Sequence, residues 1–197
     1  FPMLTTKKQL PRHLIVVGVD TFDEDEPRVL RRYCGGGVWV DLKDVLNKID
    51  PTTELTIAGS YRRGCKDSGD IDILLKGTPQ LYKKFISTLE KDGYLYETLA
   101  KGTKKYNGMC KMKGYLTFRR IDIMITKPEE YPFAILYFTG SKDFNTLMRQ
   151  HALDKGYSMN EYSLKYIDTK ENVNHIFKTE KCVFDYLKYP YVVPNKR

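Results

Sequence analysis

Apolar and polar positions change their period several times along this chain, and each change marks an element. Leu42, Val45, Leu46 and Ile49 recur at helical spacing, with Asp41 placed to cap that helix and Asp50-Pro51 to end it. Residues 54–58 and 69–75 read as strands on either side of a glycine-serine turn. Pro79 opens a helix to about Lys91, with Leu81, Phe85, Ile86 and Leu89 on its apolar face and Gly93 closing it. Three successive strands are predicted over 94–99, 106–112 and 115–125, separated by glycine or lysine turns. Past Pro128 the pattern shifts to an apolar, aromatic helix at 131–139. A turn at Thr139-Gly140-Ser141 and an amphipathic helix over 143–153 follow. The last forty residues are polar, tyrosine-rich and short-segmented.

This alternation predicts a mixed α+β fold in which one mixed sheet carries helices. We divide the chain into residues 1–40, an extension of unclear role, then 41–128 and 129–197. The extension has a basic start (Lys7, Lys8, Arg12, His13), a strand-like run at 14–17, an acidic cluster at 23–26 and Gly35-Gly36-Gly37. Phe1-Pro2 ahead of Met3 is read as a remnant of expression and left out of the fold.

Composition narrows the class of partner. The 197 residues carry a net charge of +8, which suits a polyanion because each cation that neutralises a phosphate releases counterions. No apolar run reaches the roughly 20 residues needed to span a bilayer, and no signal-like segment is found. No membrane association is expected, and a nuclear or cytoplasmic location is. The four cysteines (Cys34, Cys65, Cys110, Cys182) are far apart and suggest neither a zinc site nor a disulfide framework.

The chemistry concentrates in Gly59-Ser60-Tyr61-Arg62-Arg63-Gly64 and the following Gly69-Asp70-Ile71-Asp72-Ile73-Leu74-Leu75. Residues i and i+2 of a strand share a face, about 6.6 Å apart along it, so Asp70 and Asp72 project together and can converge on metal. Small residues in the preceding turn let a backbone approach phosphate, and arginine binds it in a fork. Asp122 repeats the pattern in Arg120-Ile121-Asp122-Ile123, with Arg120 on its own face. Three carboxylates on neighbouring strands suit two-metal phosphoryl transfer. Taken alone, each feature has a plainer explanation. Asp-x-Asp is common on half-exposed strands, Arg120–Asp122 without the first motif reads better as a surface pair, and Tyr137-Phe138 beside Ile135 and Leu136 also reads as core. His13, His151 and His175 are read as structural.

Together these residues resemble a nucleotidyltransferase-fold DNA polymerase of family X, of the DNA polymerase beta type. Residues 59–75 are similar to its first palm motif, and Lys101-Gly102-Thr103-Lys104-Lys105-Tyr106 to its DNA-contacting hairpin. Residues 119–123 resemble its third-carboxylate strand. Tyr137-Phe138-Thr139-Gly140-Ser141, Asn145, residues 148–153 and Asn160-Glu161-Tyr162 resemble its nucleotide-selecting segment. The resemblance covers about 50–197 and implies a palm with a small C-terminal thumb.

It further implies a DNA-directed DNA polymerase that adds dNMP to a primer 3′-hydroxyl in short-gap or base excision repair. Two Mg2+ ions, with Mn2+ as a substitute, are implied at Asp70, Asp72 and Asp122, which are also the catalytic residues. Nucleotide contacts are implied at Gly59, Ser60, Arg63, Ser68, Gly69, Tyr137, Phe138, Gly140, Lys142 and Asn145. DNA contacts are implied at Lys101, Thr103, Lys104, Lys105, Arg120, Arg149 and Tyr162. Gapped or primer–template DNA, a dNTP and a DNA ligase are the partners expected of a monomer.

Where the residues depart from the family, the expectations change. No helix-hairpin-helix glycine pattern is found, so a minimal form without the lyase domain is expected, suited to a compact viral genome. The helix before the first palm strand has Lys43 or Lys48 in place of an arginine. Lys142 stands where beta-type enzymes carry an acid, so low to moderate fidelity is expected. Two alternatives stay open: a template-independent nucleotidyltransferase, and a non-catalytic DNA-binding protein.

Overall fold

The computed structural model describes residues 38–65, 68–111 and 118–197. The strand-like run at 14–17, His13, Cys34, the acidic cluster and the glycine triplet lie outside them, as do Met112 and residues 115–117 of the predicted third strand.

The described chain is mixed α+β. Helix α1 (Val38–Ile49) leads into β1 (Glu54–Ile57) and the one-turn helix α2 (Gly59–Arg62). Next come β2 (Asp70–Lys76), α3 (Pro79–Lys91), β3 (Leu95–Lys101), β4 (Lys105–Cys110) and β5 (Arg119–Thr126). Helices α4 (Tyr131–Thr139) and α5 (Lys142–Asp154), the β6 (Tyr157–Met159) and β7 (Leu164–Tyr166) pair, and α6 (Glu180–Tyr186) complete the chain. Asp41 sits inside α1, which starts three residues before the expected cap. Thr78 caps α3 by accepting from Leu81 N–H at 3.3 Å, with Pro79 in the first turn where no N–H is needed.

Five strands form one sheet in the order β1-β2-β5-β4-β3. The central β2–β5 pair is parallel and sets Ile71 against Ile121, Asp72 against Asp122 and Leu74 against Met124; the other pairings are antiparallel.

Strand alternation divides the two faces. Ile71, Ile73, Leu75, Ile121, Ile123 and Ile125 point to α1 and α3, where they pack with Leu42, Leu46, Phe85, Ile86 and Leu89. Seven of these side chains are wholly enclosed, and burying each contributes about 1.5–3 kcal/mol against the unfolded chain. The other face is apolar only at one end, where Leu74 and Met124 meet Ala134 and Ile135 of α4. Two residues earlier on each strand the same face carries Asp72 and Asp122. The core therefore stops where the carboxylates begin.

Helix α4 is apolar around its circumference because it is covered on both sides. Ala134 and Ile135 meet the sheet, while Phe133 and Leu136 join a second core with Phe144, Met148, Leu164, Val183 and Phe184. No helix among the described residues is long and apolar enough to cross a membrane.

Candidate active site

Asp70 and Asp72 sit at the start of β2 and Asp122 near the start of β5, brought side by side by the parallel register. Each offers a carboxylate oxygen within 4.8 Å of the other two, making this the group among the described residues that fits a metal ion. Burial is the first force on them, and mutual repulsion the second. Burial together with the Asp122 charge raises the Asp70 carboxyl above the ordinary carboxylate range. Asp72 is pushed up to about 7 by burial and by Asp70 and Asp122, against the opposing pull of Arg63 and Arg120. Three hard oxygen donors, two of them raised by burial and repulsion, are a donor set that suits a divalent cation.

Arg120 forks onto Asp122, Nε to Oδ1 at 3.3 Å and Nη2 to Oδ2 at 3.1 Å, and fixes the orientation of that carboxylate. The glycine-serine turn is the short helix α2, tied to β2 by the Ala58 N–H donating to Asp72 O at 2.8 Å. Gly59 is required there. Its φ is +53°, and a β-carbon would lie 1.9 Å from Asp72 Oδ2. Arg63 donates to Thr139 O at 2.6 Å, which carries its guanidinium across to the end of α4.

A cavity of about 760 Å³ opens between these elements. It brings together Asp70, Asp72 and Asp122 with Gly59, Ser60, Arg63, Lys105, Arg120, Tyr137, Phe138, Gly140, Lys142, Asn145 and Arg149. Asn145 is held by donating from Nδ2 to Tyr137 O at 2.8 Å. Lys142, Asn145, Thr146 and Arg149 form one stripe along α5, spaced so that successive turns face the cavity.

Other sequence-derived candidates lie off this lining. Ser68, next to Gly69, accepts from Ser60 Oγ at 2.8 Å. Lys101 pairs with Glu90 of α3 at 2.6 Å, and Thr103 is exposed in the hairpin turn. Lys104 reaches Glu130 at 3.1 Å and lies over the Tyr162 ring, which packs against the apolar end of the sheet face. Lys43 donates to Thr53 O at 3.3 Å, and neither it nor Lys48 lines the cavity. His151 Nε2 meets Leu187 O at 2.9 Å, in keeping with a structural role.

Sequence reasoning named Tyr106 only as part of the hairpin and passed over Asn107 and Thr146; all three line the cavity. Asn107 was accessible to it: position 107 shares the strand face of Lys105 and lies opposite Asp122 in the register. The contact of Thr139 with Arg62 and Arg63 was not, because those arginines are 77 and 76 residues away.

Comparison with known proteins places these residues in context. The family model described as DNA polymerase beta palm matches residues 39–128, and that described as DNA polymerase beta thumb matches 134–197. DNA polymerase lambda of Rattus norvegicus is 32% identical over 158 residues, covering 71% of this chain and 28% of the relative. DNA polymerase lambda of Arabidopsis thaliana is 27% identical over 212 residues, covering 94% and 39%. The DNA polymerase/3′-5′ exonuclease PolX of Bacillus subtilis strain 168 is 25% identical over 158 residues, covering 80% and 26%. The chain thus spans between about a quarter and two fifths of the length of these curated relatives.

Proposed function

This chain belongs to family X of the DNA polymerases, and from that premise we propose that it fills short gaps in DNA. It adds a templated dNMP to a primer 3′-hydroxyl and releases pyrophosphate. The observation that carries the proposal is the carboxylate group of Asp70, Asp72 and Asp122, with donor oxygens within 4.8 Å of one another on two adjacent strands.

Two Mg2+ ions, replaceable by Mn2+, would be held by Asp70 and Asp72 with Asp122 on one of them, and when bound they supply an acidified 3′-hydroxyl and charge neutralisation at the departing pyrophosphate. Asp122, aligned by Arg120, accepts the proton of the primer hydroxyl. Arg63, Ser60 and the backbone at Gly59 face the triphosphate, with Ser68 and Gly69 supporting that turn. Tyr137-Phe138 forms the step beneath the sugar and excludes a ribose 2′-hydroxyl by contact. Asn145 and Arg149 meet the minor-groove edge, whose acceptors are nearly the same in every correct pair, so they test pair shape and do not read sequence. Lys142 adds a cation beside the nucleotide, which strengthens binding before the template is checked and lowers fidelity.

Gapped or primer–template DNA and a dNTP are the substrates of a monomer acting in the nucleus or cytoplasm. The product of gap filling is a nick, so a ligase activity must follow. Incorporation of each dNTP with Mg2+ on a one-nucleotide gap and on a single-stranded primer tests the reading. Gap-dependent addition of the complementary base supports it. Equal addition on the single strand makes the protein a terminal transferase, and no addition on either makes it a DNA-binding protein.

A further inference from the structure

The turn joining β6 to β7 places an acid among the cations that would hold DNA. Asn160 Oδ1 accepts from the backbone N–H groups of Tyr162 and Ser163, both at 2.9 Å, and Asn160 N–H donates to Ser163 O at 3.1 Å. This closed turn fixes Glu161 at its tip. Lys105 Nζ, arriving from β4 on the sheet side of the cavity, donates to Glu161 Oε1 at 2.6 Å. Arg149 Nη2, from α5 on the opposite side, lies 3.9 Å from Glu161 Oε2. Both cations also lie over the Tyr137 ring, at 5.6 Å and 5.3 Å. With the Glu161 side chain only 17% exposed, the carboxylate ties the sheet to the C-terminal core across Tyr137.

The contrast with Lys142 is informative. That lysine lines the same cavity and has no ion-pair partner among the described residues. The nucleotide side of the cavity therefore presents an unpaired charge, while the side built from Lys105 and Arg149 presents charges already neutralised.

We propose that Glu161 is a specificity-determining residue that masks Lys105 and Arg149 until a DNA strand displaces it. The inference rests on the polymerase reading above. A strand that fits the cavity recovers the cost of displacing the carboxylate through several contacts at once. A strand that engages it partially does not, so Glu161 suppresses binding to ends and single strands more than to gaps. A carboxylate with only a structural role would act otherwise: its loss would loosen the fold and weaken DNA binding.

The test is Glu161→Gln, which keeps the size and the turn but removes the charge, compared with the wild-type chain by fluorescence anisotropy. The probes are a one-nucleotide-gapped duplex and a single strand, each measured between 50 and 200 mM salt, a range over which phosphate contacts are read as a slope of about one unit per contact. The expected result is affinity for the gapped duplex about tenfold tighter at the lowest salt, with a larger gain on the single strand. The dependence of log K on log salt should steepen by about one unit, because Lys105 then releases a counterion it could not release before. Lys105→Met should cost less than about threefold in the wild-type background and about tenfold beside Glu161→Gln. Should Glu161→Gln melt early, Glu161→Asp, which withdraws the charge by one methylene, should give half of the gain. Tight wild-type binding with no gain and no steeper slope in any variant overturns this inference alone. Absence of wild-type binding to either probe overturns the polymerase reading and the inference with it.

Discussion

Among the described residues, two of the charge clusters are built on opposite principles. At one, Asp70, Asp72 and Asp122 crowd like charges together, and burial with that repulsion raises the carboxyls of Asp70 and Asp72. At the other, a single acid, Glu180 at the start of α6, is held by Arg62 of α2 through two bonds of 2.9 and 3.2 Å and by Arg197. The Arg197 guanidinium is in turn flanked by the rings of Phe144, Phe184 and Tyr191 at 5.1–5.7 Å. Burial would raise the Glu180 carboxyl, but the hydrogen bonds from Arg197 and Arg62 outweigh it and hold it below the ordinary range. In the first cluster Asp122 is forked by Arg120, while the raised carboxyls of Asp70 and Asp72 suit a further cation. In the second, the Glu180 charge is paired within the protein and joins the turn bearing Arg63 to the C-terminal core. A dense charge cluster by itself says little about function; the sign of its imbalance says a good deal.

The largest effect should come from breaking the carboxylate cluster. Asp122→Ala should lower dNMP incorporation on a gapped duplex by at least about 10³-fold, while a thermal melt shows a fold at least as stable as before. Glu180→Ala should do the reverse. It strands Arg197, whose side chain is fully enclosed, and should cost about 3 kcal/mol in urea denaturation.

Gly59→Ala tests the geometry between the two clusters. The added β-carbon collides with Asp72 Oδ2 at a backbone angle that disfavours any side chain, so both readouts should fall. About 1–3 kcal/mol of stability should be lost, together with about 10²-fold in turnover.

The two clusters respond oppositely to pH. Asp72 titrates near 7 in the folded chain against about 3.8 when unfolded, so the folded state binds more protons between those values. Its contribution to metal-free stability therefore declines as pH rises from about 4 to 7. Glu180 has the opposite sign: its folded carboxyl is held below 4.5, so its contribution is present above that value and lost as pH falls. Urea midpoints of Asp72→Asn and Glu180→Gln, followed from pH 2 to 8, should each lose one of these two slopes.

The carboxylate cluster was legible in the sequence because strand alternation is a local rule. Positions 70 and 72 must share a face, and the apolar run beyond them predicts which strand continues into the core. The Glu180 cluster was not legible, since Arg62 and Glu180 are 118 residues apart and no local pattern links them. Lys105 and Glu161, 56 residues apart, were hidden for the same reason. The lysines of the β3–β4 hairpin show the intermediate case. Their sequence announces a basic run, but the strand register alone decides that Lys105 enters the cavity while Lys101 turns away to Glu90. Most helix limits followed from caps and periodicity. The start of α1 did not, because Asp41 makes a plausible cap whether or not the chain has already begun to coil.

The central claim is that three mutually repelling carboxylates are held in place for divalent metal. It is tested most directly by melting the free protein at pH 8 against rising Mn2+. Wild-type protein should be stabilised progressively as the ions bind the folded state, and Asp72→Asn should lose most of that shift while melting higher than wild type without metal. Equal shifts in the two proteins, or none in either, would contradict the account.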